Sequence, residues 1–277
     1  MDGRFDAMRA FPLRVGLFLK ETSSYLTESL FHDFMAALRA DVRRPQAGAL
    51  RIQAYSSRIL SAAGIEVVVE GREHLSCLDA GGMIVSNHTS FWDVLLIANV
   101  HATHFITSVE VKQTPLIGYL AAAGGSFFVD RRNRAKLSDE IPQIARALRQ
   151  GLTIGLFPEG TTSDGTSILP FKRSLFRSLK TCSVPIVPLA ISFQTREGQP
   201  LPLHEAERIF YYGEHVLTRQ LLRTFLGQGV RAVMRFAEPL LPEQFPQEAI
   251  HEDRLHTYLC DETRRRMLAL HQPVVRE

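Results

Sequence analysis

After Gly64 the chain changes period. Seven short runs rich in β-branched and aromatic residues follow: IEVVVEG, GGMIVSNH, HFITS, GSFFVDR, LTIGLFPEG, VPIVPLAIS and VRAVMRFAEPL. Helical spacing falls between most of them, over 91–100, about 134–150, about 171–181 and about 214–226. Ser138 is placed to cap the second of these helices and Gly151 to end it. Strands alternating with helices predict an α/β domain around a mostly parallel or mixed central sheet flanked by helices. Ligands gather at the carboxyl ends of strands in such sheets. Pro185 and Pro188 argue that the sixth run is not central throughout, because proline suits strand starts and edges. A last helix is expected between about Gln247 and Leu270.

The segment before Gly64 differs. Residues 12 to 40 read as one helix, with Leu26, Leu30, Phe34 and Leu38 at a spacing of four and Leu19 and Phe31 widening the stripe. Pro45 breaks it, and a second helix runs from about Leu50 to Ala63, with Gly64 as its stop. The chain thus divides into an N-terminal helical segment, 1–63, and an α/β domain, 64–277. Two fates are open to the helical pair: packing on the core, or laying an apolar face on lipid. No apolar run reaches the length of a spanning helix, and the first residues lack a secretory pattern, so lipid would be met from one side. Cys77, Cys182 and Cys260 are odd in number and without pair spacing, which points to a reducing compartment, the cytoplasmic side if the chain meets a membrane. The net charge of +3 is no footprint of nucleic-acid binding but suits an anionic surface.

The stretch SNHTSFWDVLL sets a histidine and a carboxylate where a strand turns into a helix. With Ser90 as N-cap, Asp93 becomes the third helical residue. Positions five apart on an unbroken helix lie about 140° from each other. His88 and Asp93 can meet only because His88 stands in the turn, with Asp93 reaching back over the helix N-terminus. A carboxylate on one ring nitrogen fixes the tautomer and leaves the other nitrogen free as a base. The alternative is a first-turn acid favoured by the helix dipole beside a structural histidine.

In LFPEGTTSDGTSILPFKRSLF, Gly160 permits a tight turn or a close approach to a ligand, and Thr161, Thr162 and Ser163 offer hydroxyls to a phosphate or polar head group. Arg173, Arg177 and Lys180 would share one face of the following helix. GGSFFVDRRNRAK delivers Asp130 and Arg131 to a strand end, and Arg131 could fork onto a phosphate. There is no G-x-S-x-G elbow, no G-x-G-x-x-G after a strand and no Walker-type loop. HEDRLH has one residue too many for a zinc-binding helix. His101 and His104 could serve, with His88 and Asp93, a metal-assisted hydrolase, but no acid or cysteine cluster stands near them; no metal is expected.

Four stretches, NHTSFWD, GSFFVDR, FPEGTTS and VPIVPLAI, stand in one order between residues 87 and 191. Together they resemble the four blocks of the glycerolipid acyltransferases, the 1-acylglycerol-3-phosphate (lysophosphatidate) acyltransferase family. The resemblance implies attack of a lysophospholipid hydroxyl on the thioester of acyl-CoA or acyl carrier protein, with no acyl-enzyme and no further cofactor. It implies His88 as general base, Asp93 as its orienting partner, and acceptor binding by Arg131, Glu159 and Gly160 with Thr161 beside them. Thr162 stands where many members have arginine. The missing charge would come from Arg131, Lys172 or Arg173, or the acceptor head group would differ, as in lyso-ornithine lipid. The resemblance also implies a membrane-peripheral enzyme, with Phe11, Leu17, Phe18, Leu19, Arg14 and Lys20 as its interfacial anchor. The rival expectation is a non-catalytic lipid or acyl-carrier binding protein of the same fold.

Overall fold

A computed structural model describes residues 2–38, 45–114, 117–130, 134–213, 216–227, 229–251 and 253–275. Seven strands form one mixed sheet in the order β1-β7-β6-β2-β5-β3-β4. They are β1 (Ile65–Glu70), β2 (Gly82–Ser86), β3 (His104–Ser108), β4 (Phe127–Val129), β5 (Thr153–Leu156), β6 (Ile186–Gln194) and β7 (Val230–Phe236). Five of them, β2 to β6, run parallel, while β7 pairs antiparallel with β6 and carries β1 parallel to itself. All seven β-rich runs of the sequence are strands.

Among the described residues the α-helices are α1 (Asp2–Leu38), α2 (Pro45–Ala62), α3 (Trp92–Val100), α4 (Val109–Gln113), α5 (Ile117–Ala123), α6 (Arg134–Arg149), α7 (Leu203–Ala206), α8 (Leu217–Leu226), α9 (Gln247–His251) and α10 (Leu255–Leu270). They cover both faces of the sheet. Strand β2 shows why its run is continuously apolar: Ile84 points into one core with Trp92, Leu96 and Phe236, whereas Met83 and Val85 point into the other with Ile144, Leu148 and Leu259.

Four expectations about elements need correction. Strand β6 is internal, between β2 and β7, despite its prolines. Pro185 precedes it, and Pro188 sits where the β6–β7 ladder is interrupted, between the pairs Leu189↔Phe236 and Ile186↔Leu240. The carbonyl of Pro188 accepts the N–H of Ala237 there, and its missing donor faces that gap. The segment expected to be helical near residues 171–181 is a 3₁₀ turn, Arg173–Lys180. At three residues per turn Phe176 and Leu179 align inward, and Arg173 leaves the stripe of Arg177 and Lys180. The last helix is two, α9 and α10, separated at Asp253 with φ 57°, so His251 and His256 fall on different helices. Finally, α1 begins at Asp2 and carries Pro12 inside it, ten residues earlier than the proline suggested.

The helical pair packs on the α/β body. Phe18 stands edge-on to Trp92 at 6.3 Å and to Phe225 at 5.0 Å. Arg14 donates to the carbonyl of Gly227 at 2.7 Å, just past the end of α8. Polar pairs hold α1 to α2: Glu21 to Arg58 at 3.2 Å and the Tyr55 hydroxyl to Glu28 at 2.7 Å. Of the proposed anchor residues, Phe11 and Phe18 therefore turn toward the core and Arg14 caps α8. Leu17 and Leu19 remain exposed, together with Leu13, Leu30, Phe31 and Phe34 of the same helix. Among the described residues no helix is long and apolar enough to cross a membrane.

Candidate active site

Two neighbouring parallel strands, β2 and β5, end side by side. The chain leaves β2 as Asn87-His88 and leaves β5 as Phe157-Pro158-Glu159-Gly160. The Asn87 amide extends the sheet by one step: its Nδ2 donates to the carbonyl of Ile191 at 2.9 Å and its Oδ1 accepts the N–H of Ile191 at 2.8 Å. This bond between a side chain and β6 fixes where the strand stops and the turn begins.

His88 Nδ1 lies 2.9 Å from Asp93 Oδ2. Asp93 is fully buried, and the same oxygen accepts the N–H of Thr89 at 2.7 Å and of Ser90 at 2.9 Å. The carboxylate therefore both caps the start of α3 and holds the imidazole, so the two readings of this stretch describe one residue. Helix α3 begins at Trp92 rather than just after Ser90, whose hydroxyl donates to the carbonyl of Ile209 at 2.7 Å and accepts the Trp92 N–H at 3.4 Å. With Nδ1 committed to a carboxylate, it carries the proton and Nε2 is the basic nitrogen. Among the described residues Nε2 has no hydrogen-bond partner. The imidazole lies flat on the Phe157 ring, centroids 4.0 Å apart and planes 13° from parallel, which blocks rotation of the ring.

Glu159 is 2% exposed, and both of its oxygens are taken. Oε1 accepts the His88 backbone N–H at 2.8 Å and Oε2 accepts that of Leu169 at 2.9 Å. The other side of the His88 peptide is held too, as its carbonyl accepts the Ser163 N–H at 2.9 Å. Burial pushes the Glu159 carboxyl up to about 7, opposed by the two backbone donors. Gly160 has φ 71°. A Cβ there would meet the Lys172 side chain, its Nζ at 2.7 Å, so the lysine lies over the glycine turn. Arg173 is instead occupied by Asp261 at 3.2 Å and Lys180 by Asp253 at 2.6 Å. Thr161 is exposed and Thr162 half-buried at the rim of the turn.

Arg131 lies outside the described residues. Strand β4, which leads to it, is three strands from β2, roughly 14 Å at ordinary sheet spacing. His101 and His104 point away from this chemistry: their Nδ1 atoms lie 3.1 Å from the carbonyls of Ala102 and Gly125, and burial lowers both. Among the described residues no three His, Cys, Asp or Glu side chains converge as a metal cluster. Sequence reasoning missed Asn87, Phe157 and Leu169. Asn87 was legible as the polar residue ending an apolar run; a backbone donor such as Leu169 has no side-chain signature.

Comparison with known proteins bears on the family of the chain. The Acyltransferase family model matches residues 66–192, the segment that contains β2 and β5 and all but the last two residues of β6. The lyso-ornithine lipid O-acyltransferase of Brucella abortus is 30% identical over 184 residues, which are 64% of this chain and 68% of that one. The Rhizobium meliloti protein of the same name is 33% identical over 163 residues, 56% of each chain. The 1-acyl-sn-glycerol-3-phosphate acyltransferase of Neisseria gonorrhoeae is 28% identical over 136 residues, 49% of this chain and 52% of that one. The chain thus spans between about half and two thirds of the length of these relatives. The crystal structure of the 1-acyl-sn-glycerophosphate acyltransferase PlsC of Thermotoga maritima shares the fold, with a TM-score of 0.55 at 22% identity, over 93% of this chain and 97% of that one. A sheet of this topology, a histidine–aspartate pair at the end of β2 and a matched segment built around them place this chain in the acyltransferase family.

Proposed function

We propose that the protein moves a fatty acyl group from a thioester, acyl-CoA or acyl carrier protein, to the free hydroxyl of a lyso-lipid. The observation that carries this is the oriented imidazole: Nδ1 on Asp93 and Nε2 without a protein partner. Nε2 takes the proton of the acceptor hydroxyl as the oxygen attacks the thioester carbonyl; the tetrahedral adduct then expels the thiolate, which leaves as a thiol with the proton returned from the imidazolium. Asp93 stabilises the imidazolium formed in that step.

The acceptor is 1-acylglycerol-3-phosphate in the first reading. Lys172 beside Gly160, with Arg131 and the hydroxyls of Thr161 and Thr162, supplies its phosphate site. A second reading, lyso-ornithine lipid, is favoured by the Brucella and Rhizobium relatives and by Thr162. Both acceptors carry an anionic group that a lysine can meet. The exposed apolar residues of α1, with Leu222 and Leu226 of α8 next to its first half, form the lipid-facing surface.

Acyl transfer from labelled acyl-CoA and from acyl carrier protein to lysophosphatidate, lysophosphatidylglycerol and lyso-ornithine lipid tests this reading. The wild type should acylate one of these acceptors, and His88→Ala should lose about 10²-fold or more. Product that survives in the variant would overturn His88 as the base, and the product formed names the acceptor and donor.

A further inference from the structure

Glu159, expected to bind the acceptor, is buried and spends both carboxylate oxygens on backbone N–H groups. Behind it stands a second charged group. Arg264, on α10, donates from Nη2 to the carbonyl of Ile168 at 2.8 Å and from Nε to that of Leu169 at 3.2 Å. The chain of contacts is continuous. Arg264 grips the two peptide carbonyls at 168–169, the N–H of Leu169 meets Glu159, and Glu159 meets the N–H of the residue that bears the imidazole. α10 is itself anchored, with Leu259, Cys260 and Met267 buried in the same core as Ile168. Arg264 lies outside residues 66–192, the segment that the family model matches.

We infer that Arg264 and Glu159 are positioning residues that act as one relay, transmitting the rigidity of the C-terminal helix to the His88 backbone. This rests on His88 being the base. Three supports converge on that turn: Asp93 holds the ring, Ser163 the carbonyl and Glu159 the amide. Loss of the amide support lets the turn drift while the ring contact persists. Displacement of a reacting group by about 1 Å costs on the order of 10²-fold in rate.

The relay needs Glu159 as an anion, because only the carboxylate accepts on both oxygens without presenting an O–H to one of the N–H donors. Its surroundings hold it near the edge of ionisation. Burial raises it, the Leu169 and His88 N–H groups lower it, the charge of Asp93 on α3 raises it and Arg264 on α10 lowers it. The relay therefore loosens as pH falls through about 7.

The test is steady-state acyl transfer by the full chain, with the acceptor found above, for Glu159→Gln, Arg264→Met, Arg264→Lys and the double variant Glu159→Gln/Arg264→Met. Arg265→Met is the control, since Arg265 bonds within its own helix to Glu262. Each single variant except the lysine should lose about 10- to 100-fold in kcat, with the acceptor KM within about twofold. The double variant should be no worse than the poorer single one. Arg264→Lys, which keeps a donor, should fall between wild type and Arg264→Met. The part of the acidic limb of the wild-type pH profile that belongs to Glu159 should vanish in Glu159→Gln. A raised acceptor KM with unchanged kcat would make Glu159 a substrate ligand and overturn the relay. Losses that multiply in the double variant, or a wild-type kcat in either arginine variant, would overturn it as well. If Arg264→Met melts below the assay temperature, Arg264→Lys at wild-type kcat suffices to overturn it. Activity that survives His88→Ala in the same assay would mark failure of the base assignment instead.

Discussion

Asp93 shows how much one side chain is asked to do. Its Oδ2 meets an imidazole and two peptide N–H groups from full burial. Asp93→Asn keeps the shape but puts an amide against those donors or against the ring. We expect kcat to fall by about 10²- to 10⁴-fold, as for loss of an orienting carboxylate. The fold should weaken by about 1–3 kcal/mol for each donor left unpaired. Steady-state kinetics and urea unfolding read the two effects separately. Gly160→Ala tests the neighbouring turn. A Cβ at φ 71° is strained and strikes the flexible end of Lys172, so the lysine swings away. The expected result is a raised acceptor KM with a melting temperature lowered by the roughly 1 kcal/mol cost of a left-handed non-glycine residue. Glu159 links pH to stability in the opposite sense to activity. Its folded-state value of about 7 exceeds the ordinary value of 4.5, so the folded protein binds the proton more tightly than the unfolded chain. Stability from this group is thus full below about 4.5 and is lost as pH rises through 7. Relative to Glu159→Gln, the wild type should lose up to ~3 kcal/mol between pH 5 and pH 8 in denaturant titrations, while its activity rises. Function and stability pull against each other at this residue.

At the scale of elements, the legible features were those carried by local period. Seven β-rich runs became seven strands because each alternates or is continuously apolar over a strand's length, and α3 and α6 appeared where the spacing put them, although α6 already runs from Arg134, so Ser138 lies within it rather than at its cap. The failures were local too, but their causes were not. Pro188 sits inside an internal strand because the neighbouring ladder opens a gap there, which depends on the path of β7 rather than on β6 itself. The turn at Arg173–Lys180 winds as 3₁₀ so that Phe176 and Leu179 both reach the core, leaving its cations to Asp261 and Asp253. Helix α1 divides the same way. Of the stripe expected from spacing, Leu19, Leu30, Phe31 and Phe34 are exposed, and the large residues that turn inward, Phe11 and Phe18, were decided by packing on the core around Trp92 and Phe225. Phe18→Ala should lower stability by roughly 2–4 kcal/mol, the ordinary cost of truncating a packed aromatic. Leu13→Ser with Leu17→Ser should leave thermal melting unchanged and weaken binding to anionic vesicles, measured by co-sedimentation.

For the whole molecule, the helical pair and the α/β body share one core. Ile59, Leu60 and Ala63 of the pair's end are buried with Trp92 and Phe236. Removal of residues 1–45 should therefore do two things at once: release the protein from membranes and lower its melting temperature by several degrees, since Phe18 and Tyr25 go with it. The surface variant at Leu13 and Leu17 separates these effects, because it should change fractionation alone. By itself the sequence determined the order of strands and helices along the chain and the family, and it allowed His88 to meet Asp93 across a strand-to-helix turn. The first and last depend on residues close in the chain, where spacing and turn chemistry are enough; the family rests on four short stretches in a fixed order between residues 87 and 191. Only the tertiary structure decided what Glu159 holds, that Lys172 covers Gly160, and that Arg264 stands behind both Ile168 and Leu169. Those contacts join segments from 71 to 96 residues apart or rest on backbone groups. Backbone donors and acceptors are the same at every position, so no residue pattern announces which of them a buried charge will meet.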